Sequence, residues 1–161
     1  MGSPLGPLLA SFFMAHFQNR YMIELKDLGI LKWWRYVDDI FASVRDRESA
    51  EAVLKFINEQ HPNMKFTIEL EEAGKLPFLD ALVIRKNEKY ITSIYHKKTF
   101  TGVYLNWKSL TARRYKIGLI KCLSNRIWRI CSEPEYRQEE MEEMKKLLLL
   151  NVYTQHIVEE E

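Results

Sequence analysis

An α+β fold, with a mainly antiparallel sheet followed by an α-helical region, is predicted by three features of this 161-residue chain. Apolar residues at helical spacing open the sequence. Alternating and apolar runs bounded by turn residues fill its middle, and helical spacing returns towards its end. Apolar residues make up 47% of the chain, enough for a packed core and too many for general disorder. The length suits one domain, or two small units sharing a core.

The first seven residues, Met1-Gly2-Ser3-Pro4-Leu5-Gly6-Pro7, form a Gly/Pro loop, and Pro7 suits the first turn of a helix. Leu9, Phe13 and Phe17, with Leu8 and Phe12, recur at helical spacing. That helix can run to about Leu28, where Gly29 is a natural stop. Residues 31–36 are strand-like, Asp38-Asp39 makes a turn, and residues 40–44 return as a second strand. Asp46 can cap a helix that carries Ala50, Val53, Leu54 and Ile57 on one face, and His61-Pro62 ends it. Phe66, Ile68 and Leu70 alternate with Lys65, Thr67 and Glu69, the pattern of a half-buried strand. After a turn at Gly74, residues 78–84 read as one nearly continuous apolar strand. Lys86-Asn87-Glu88 turns it back into a strand over residues 90–95. A loop through Gly102 ends near Trp107. Thr111 can cap a helix to about Cys131, with Ile120, Leu123, Ile127 and Ile130 on one face. Pro134 separates it from a last helix over residues 135–150, with Met141, Met144, Leu147 and Leu148 inward. Glu159-Glu160-Glu161 reads as a solvated tail.

The formal net charge of +2 conceals an asymmetry. Residues 89–132 contain ten Lys or Arg and no acidic residue, which leaves the rest of the chain at −8. Seven aromatics are interleaved in the same stretch. Positive charge neutralises phosphates and aromatic faces stack on bases, so this stretch reads as a nucleic-acid contact region. The alternative is a solvated face on an ordinary domain. No apolar run approaches the roughly 20 residues of a membrane span, and no Cys/His cluster has zinc spacing. Cys122 and Cys131, on one helix, would sit about 13 Å apart along its axis, too far for a disulfide. Free thiols and the lack of a signal peptide point to an intracellular setting, nuclear or cytoplasmic.

Tyr36-Val37-Asp38-Asp39 carries the chemistry. Side chains alternate along a strand, so adjacent acids converge only if the turn re-aims one of them. Their repulsion is relieved by a cation, and carboxylate oxygens select hard metals such as Mg²⁺. Two such ions can activate a hydroxyl and stabilise a leaving pyrophosphate. Asp-Asp is equally a good hairpin turn, and four residues alone do not separate the two readings.

The wider context does. Met1 to Ala10 resembles a loop-to-helix motif that precedes a catalytic hairpin, and Trp34-Arg35-Tyr36-Val37-Asp38-Asp39 resembles the catalytic motif itself. His61 to Thr67 and Leu76-Pro77-Phe78-Leu79-Asp80 resemble the palm segments that follow. Lys98 to Gly102 with Tyr104-Leu105-Asn106-Trp107 looks like a primer-supporting element, and Arg113-Arg114-Tyr115-Lys116 opens a thumb-like region. In this ordered set the chain resembles the reverse transcriptases of retroelements, most of all the Penelope-like group, from its first residue to about Tyr153. The resemblance implies a partial polymerase palm over residues 1–100, a basic helical thumb-like region over 101–153 and an acidic tail over 154–161.

It also implies site residues. Asp38 and Asp39 would be catalytic and bind metal. Gly2, Ser3, Tyr36 and Lys65 would lie on the nucleotide or primer side, although Lys65 reads equally well as an exposed strand lysine. Lys98, Trp107, Arg113, Arg114, Lys116, Lys121 and Arg126 would contact nucleic acid. Asp80 reads as structural, and Trp33 and Trp34 as core. The partners implied are an RNA template, a DNA primer and deoxynucleotides, with a two-ion Mg²⁺ site in the complete fold and no membrane. Family members carry fingers and a further metal-binding aspartate ahead of the Gly-Ser-Pro motif, and nothing precedes Met1. The expectation is therefore a fragment that does not polymerise alone and self-associates through uncovered palm surface, the hairpin edge with Trp33, Trp34, Ile40 and Phe41 and the helix face with Phe12, Phe13 and Phe17. A non-catalytic nucleic-acid-binding module, whose helices from Thr111 to Leu150 would dock on a duplex, with a helix-turn-helix as one way to do so, or the remnant of a decayed element are the rival expectations.

Overall fold

The structure, a computed structural model, describes residues 5–87 and 89–160, with no side-chain description at 159 and 160. Gly2 and Ser3, and Glu88 of one expected turn, lie outside the described residues. The chain is α+β. The described residues form five helices and two small sheets, both antiparallel, in two compact units, Met1–Glu69 and Leu70–Glu161.

In the first unit, α1 (Leu5–Asp27) leads into the hairpin β1 (Ile30–Tyr36) and β2 (Asp39–Val44), and α2 (Arg47–Glu59) follows. Gly29 ends α1 at φ 111°, and a Cβ there would lie 2.5 Å from Ser49 Oγ, so only glycine fits. Asp46 caps α2 by accepting a 2.7 Å hydrogen bond from Ser49 N. Leu25, Ile30 and Val53 are buried together under Tyr21, Leu28, Trp33, Val44 and Phe56. Phe17 is ringed by Phe13, Tyr21 and Phe66 at centroid distances of 5.0 to 6.4 Å.

The first half of α1 is different. Leu5, Leu8, Leu9, Phe12 and Phe13 are all exposed. Trp33 joins the core as expected, whereas Trp34 is exposed, its ring 5.9 Å from that of Phe41 across the hairpin.

Residues 65–70 alternate as a strand should, but they form none. A strand needs a neighbour, and here the Asn58 side chain takes its place. Its Oδ1 accepts from Phe66 N at 2.7 Å and its Nδ2 donates to Phe66 O at 3.1 Å.

The second unit opens on a tight turn at Ala73-Gly74, both with positive φ. Strands β3 (Lys75–Phe78), β4 (Ala81–Lys86) and β5 (Lys89–Ile94) form a meander with β4 in the middle. The apolar run expected as one strand over 78–84 is thus two strands. Leu79 adopts φ 55° and the chain reverses at Leu79-Asp80, with Phe78 facing Ala81.

Two long helices complete the unit, α3 (Arg113–Ile130) and α4 (Pro134–Leu150), followed by the short α5 (Gln155–Glu160). The residue before α3 is Ala112 and no side chain caps it, so Thr111 is not the cap. Arg137 closes the turn between α3 and α4 by donating to Cys131 O at 2.8 Å and Ser132 O at 3.2 Å. Strand β5 is stitched to this turn. Thr92 N donates to Ser132 Oγ, and Ser132 N returns a bond to Thr92 O, each 3.0 Å.

Ile94, Ile120, Ile127, Met144, Leu148, Tyr153 and Val158 are buried in one core with the Cys131 thiol, whose pKa burial raises. The stretch 154–161 expected as an acidic tail therefore contributes a helix, and Val158 on it is core. Both cysteines are free, and Cys122 is exposed. No helix among the described residues is long and apolar enough to cross a membrane.

Candidate functional site

The carboxylate turn lies at the tip of the β1–β2 hairpin. Its two central residues are Val37 and Asp38, and not Asp38 and Asp39 as the sequence suggested; Asp39 begins β2, directly opposite Tyr36. Residues directly opposite in an antiparallel pair share a face, so Tyr36 and Asp39 lie side by side while Asp38 sits in the bend. Tyr36, Val37, Asp38 and Asp39 are all exposed. A two-residue turn needs positive φ at its first central position, where glycine is usual. Val37 occupies it at φ 54°. A β-branched side chain in that conformation is strained, by roughly 1–2 kcal/mol. Arg35 holds the bend, its Nη1 donating to Val37 O at 2.6 Å.

Among the described residues no group of three or more His, Cys, Asp or Glu is placed to hold a metal. The hairpin offers two adjacent carboxylates open to solvent. Mg²⁺ is commonly held by one or two carboxylates, with water and substrate phosphates completing its shell, and this oxygen donor set fits such an open site. Lys65 is exposed in the extended segment beside Phe66.

The basic stretch lies in the second unit, and the structure divides its residues sharply. Lys98 is exposed in the loop after β5. Arg113, Arg114 and Lys121 are exposed on α3, and the Arg114 guanidinium stacks 4.8 Å from the Tyr115 ring centre. Arg126 is half-buried and reaches the exposed Asp80 at 3.4 Å. Trp107 is half-buried with its ring 5.1 Å from that of Tyr153, so it is largely a core residue.

Lys116 departs furthest from the expectation of a phosphate contact. It is buried, and its Nζ donates to Trp107 O at 2.6 Å and Ser109 O at 2.7 Å. It precedes Ile120, Leu123 and Ile127 at helical spacing, and that inward stripe is the signal that could have placed it inside.

Asn151, which the sequence did not single out, does comparable work. Its side chain accepts from Tyr104 N at 2.9 Å and donates to Gly102 O and Leu147 O at 2.8 Å, and its carbonyl accepts from Trp107 N at 3.0 Å. Gly102, at φ 69°, packs so closely on α4 that a Cβ would lie 2.5 Å from Leu147 Cδ2. The loop that carries the exposed Lys97, Lys98 and Phe100 is thus anchored at its base by a buried amide and a buried ammonium. Beside it His96 Nε2 lies 2.9 Å from Glu140 Oε2, and burial raises the Tyr104 phenol pKa while nearby Arg126 opposes the shift.

The family model of the animal helix-turn-helix domain matches residues 103–161, from the anchored loop through α5. No curated protein matches the chain, and no solved structure does.

Proposed function

We propose that this chain is part of a reverse-transcriptase-type polymerase of the Penelope-like kind, joining a metal-binding carboxylate hairpin to a helical region that grips an RNA–DNA duplex. The observation that carries the reading is the hairpin tip, where a strained Val37 presents Asp38 beside Asp39. Strain of this type persists where surrounding structure enforces it, and it clusters at functional sites. Asp38 and Asp39 would hold Mg²⁺, which supplies charge neutralisation at a reacting phosphate. Tyr36, on the face of Asp39, would support the primer end or incoming nucleotide. Arg35 keeps the turn in shape by its bond to Val37 O. The exposed cations of the 89–132 stretch would neutralise phosphates of the duplex. The uncovered apolar half of α1 is the kind of surface that further polymerase elements would bury, and alone it would promote self-association.

A second reading, a nucleic-acid-binding module without catalysis, is favoured by the helix-turn-helix match over residues 103–161. Mn²⁺, added as a paramagnetic probe to the chain with an RNA–DNA hybrid bound, separates the two. Selective broadening of signals at Asp38 and Asp39, lost in Asp38→Asn, supports the polymerase reading. Hybrid binding without any such broadening leaves only the second.

A further inference from the structure

Gly118 sits in the middle of α3, and the fold gives no reason for it. Glycine is the least favourable interior helix residue apart from proline. It is usually retained where a neighbour approaches too closely for a Cβ, yet a Cβ at Gly118 would meet nothing within 4 Å. The residue is exposed. Arg114, Gly118, Lys121, Asn125 and Trp128 recur at alternating steps of four and three, so they form one stripe along the helix, and all are exposed. The opposite side, with Ile120 and Ile127, is core.

Charge identifies what such a stripe fits. Helix α3 contains no carboxylate, whereas α4 is net acidic, presenting Glu135, Glu139, Glu142 and Glu143 beside the exposed Lys145 and Lys146, the latter 3.7 Å from Glu143. A phosphate backbone is attracted to the first surface and repelled by the second. In helix-turn-helix modules generally, the second helix of the pair enters the groove. Here the charges oppose that arrangement.

We propose that α3, the first helix of the pair, docks on the sugar–phosphate backbone of a nucleic-acid duplex, and that Gly118 is where that backbone comes closest. The proposal rests on the nucleic-acid reading above. Arg114 and Lys121 flank the contact, and Trp128 offers a flat face at its far end, with the Arg137 guanidinium 5.0 Å from its ring centre.

The test sets stability against binding in the full chain. Gly118→Ala should raise the Tm by a few degrees, because alanine is the better helix former. The same change should weaken binding of a fluorescently labelled RNA–DNA hybrid by about tenfold or more, a loss of about 1.4 kcal/mol. Gly118→Leu should weaken it further. Neither variant removes a charge, so the slope of affinity against salt should match the parent, whereas Arg114→Ala should flatten it by about one unit. Glu142→Gln on α4 should change affinity by less than about twofold, since that face would stand away from the phosphates. Parental affinity in Gly118→Ala, or strongly tightened binding in Glu142→Gln, would overturn the assignment to α3. Loss of self-association with unchanged hybrid binding would give the stripe to a second copy of the chain, and so would also overturn it. If the parent shows no salt-dependent hybrid binding at all, the nucleic-acid reading itself fails, a result distinct from each of these.

Discussion

Two turns in this molecule share a left-handed first residue and differ in what surrounds it. In the first unit Val37-Asp38 reverses the β1–β2 hairpin with φ 54° at valine; in the second, Leu79-Asp80 reverses β3–β4 with φ 55° at leucine. Each places a bulky apolar residue where glycine would be easier, followed by an aspartate. The second turn is tied down. Asp80 meets Arg126 at 3.4 Å, and its carbonyl accepts from Tyr95 N at 2.9 Å. Among the described residues the first is held at its backbone by Arg35, and its aspartate is followed by another acid. Similar strain therefore supports an aspartate ion-paired at the surface in one hairpin and two adjacent exposed carboxylates in the other. The surroundings of an aspartate, more than its turn, decide what its carboxylate is free to meet.

The sharpest break in this comparison is metal binding. Asp38→Asn should weaken Mn²⁺ binding by about tenfold or more, the scale expected when a charged oxygen ligand is lost, while Asp80→Asn leaves it unchanged. Equal effects from both would erase the distinction. The shared strain predicts a parallel response next. Val37→Gly and Leu79→Gly should each stabilise the fold by roughly 0.5–1 kcal/mol in urea unfolding, because glycine removes the left-handed penalty at some entropic cost. If Val37→Gly also weakens Mn²⁺ binding, the strain itself serves the site.

A smaller effect is expected from Asp80→Asn on stability. The lost contact with half-buried Arg126 should cost less than about 1 kcal/mol and fade in high salt. Smallest is an acid response confined to the first unit. The hydrogen bond from Ser49 N, reinforced by the Ser49 side chain, holds the Asp46 carboxyl below its ordinary value. A depressed carboxylate stabilises the fold fully above its unfolded pKa and loses that contribution as pH falls through the folded one. Helicity of α2 should thus soften on acidification below the ordinary aspartate range. Asp46→Asn, which can still cap, should show less of that dependence by circular dichroism.

Much of the first unit was legible because its punctuation is chemical. Gly29 and Asp46 mark a stop and a start that only a few residue types can supply, and the structure uses both as expected. The β3–β4 reversal was hidden because Leu79 takes a conformation that its side chain disfavours, leaving an apolar run with no Gly or Asn to announce a turn. Residues 65–70 had the correct alternation, but pairing is a property of two segments, and Asn58 is what Phe66 found. At the candidate site, Asp38 and Asp39 could be read from their neighbours in sequence. The turn positions could not, because a two-residue loop shifts by one without altering composition. In the basic stretch, charge counts made no distinction between Arg113 at the surface and Lys116 inside. That difference exists only after α3 has chosen which face to bury.

The Asn151 anchor has a consequence for how the molecule opens. The amides of Tyr104 and Trp107 belong to a segment without regular secondary structure, yet both donate to a residue that also terminates α4. Their protons can meet solvent catalyst only when the end of α4 lets go. In hydrogen exchange they should behave as members of the helix rather than of a loop, and their rates should rise together with those of the last turn of α4 when Asn151 is shortened to alanine. The loop and the helix end are then one cooperative element, breathing as a unit although nothing in their backbone geometry is shared.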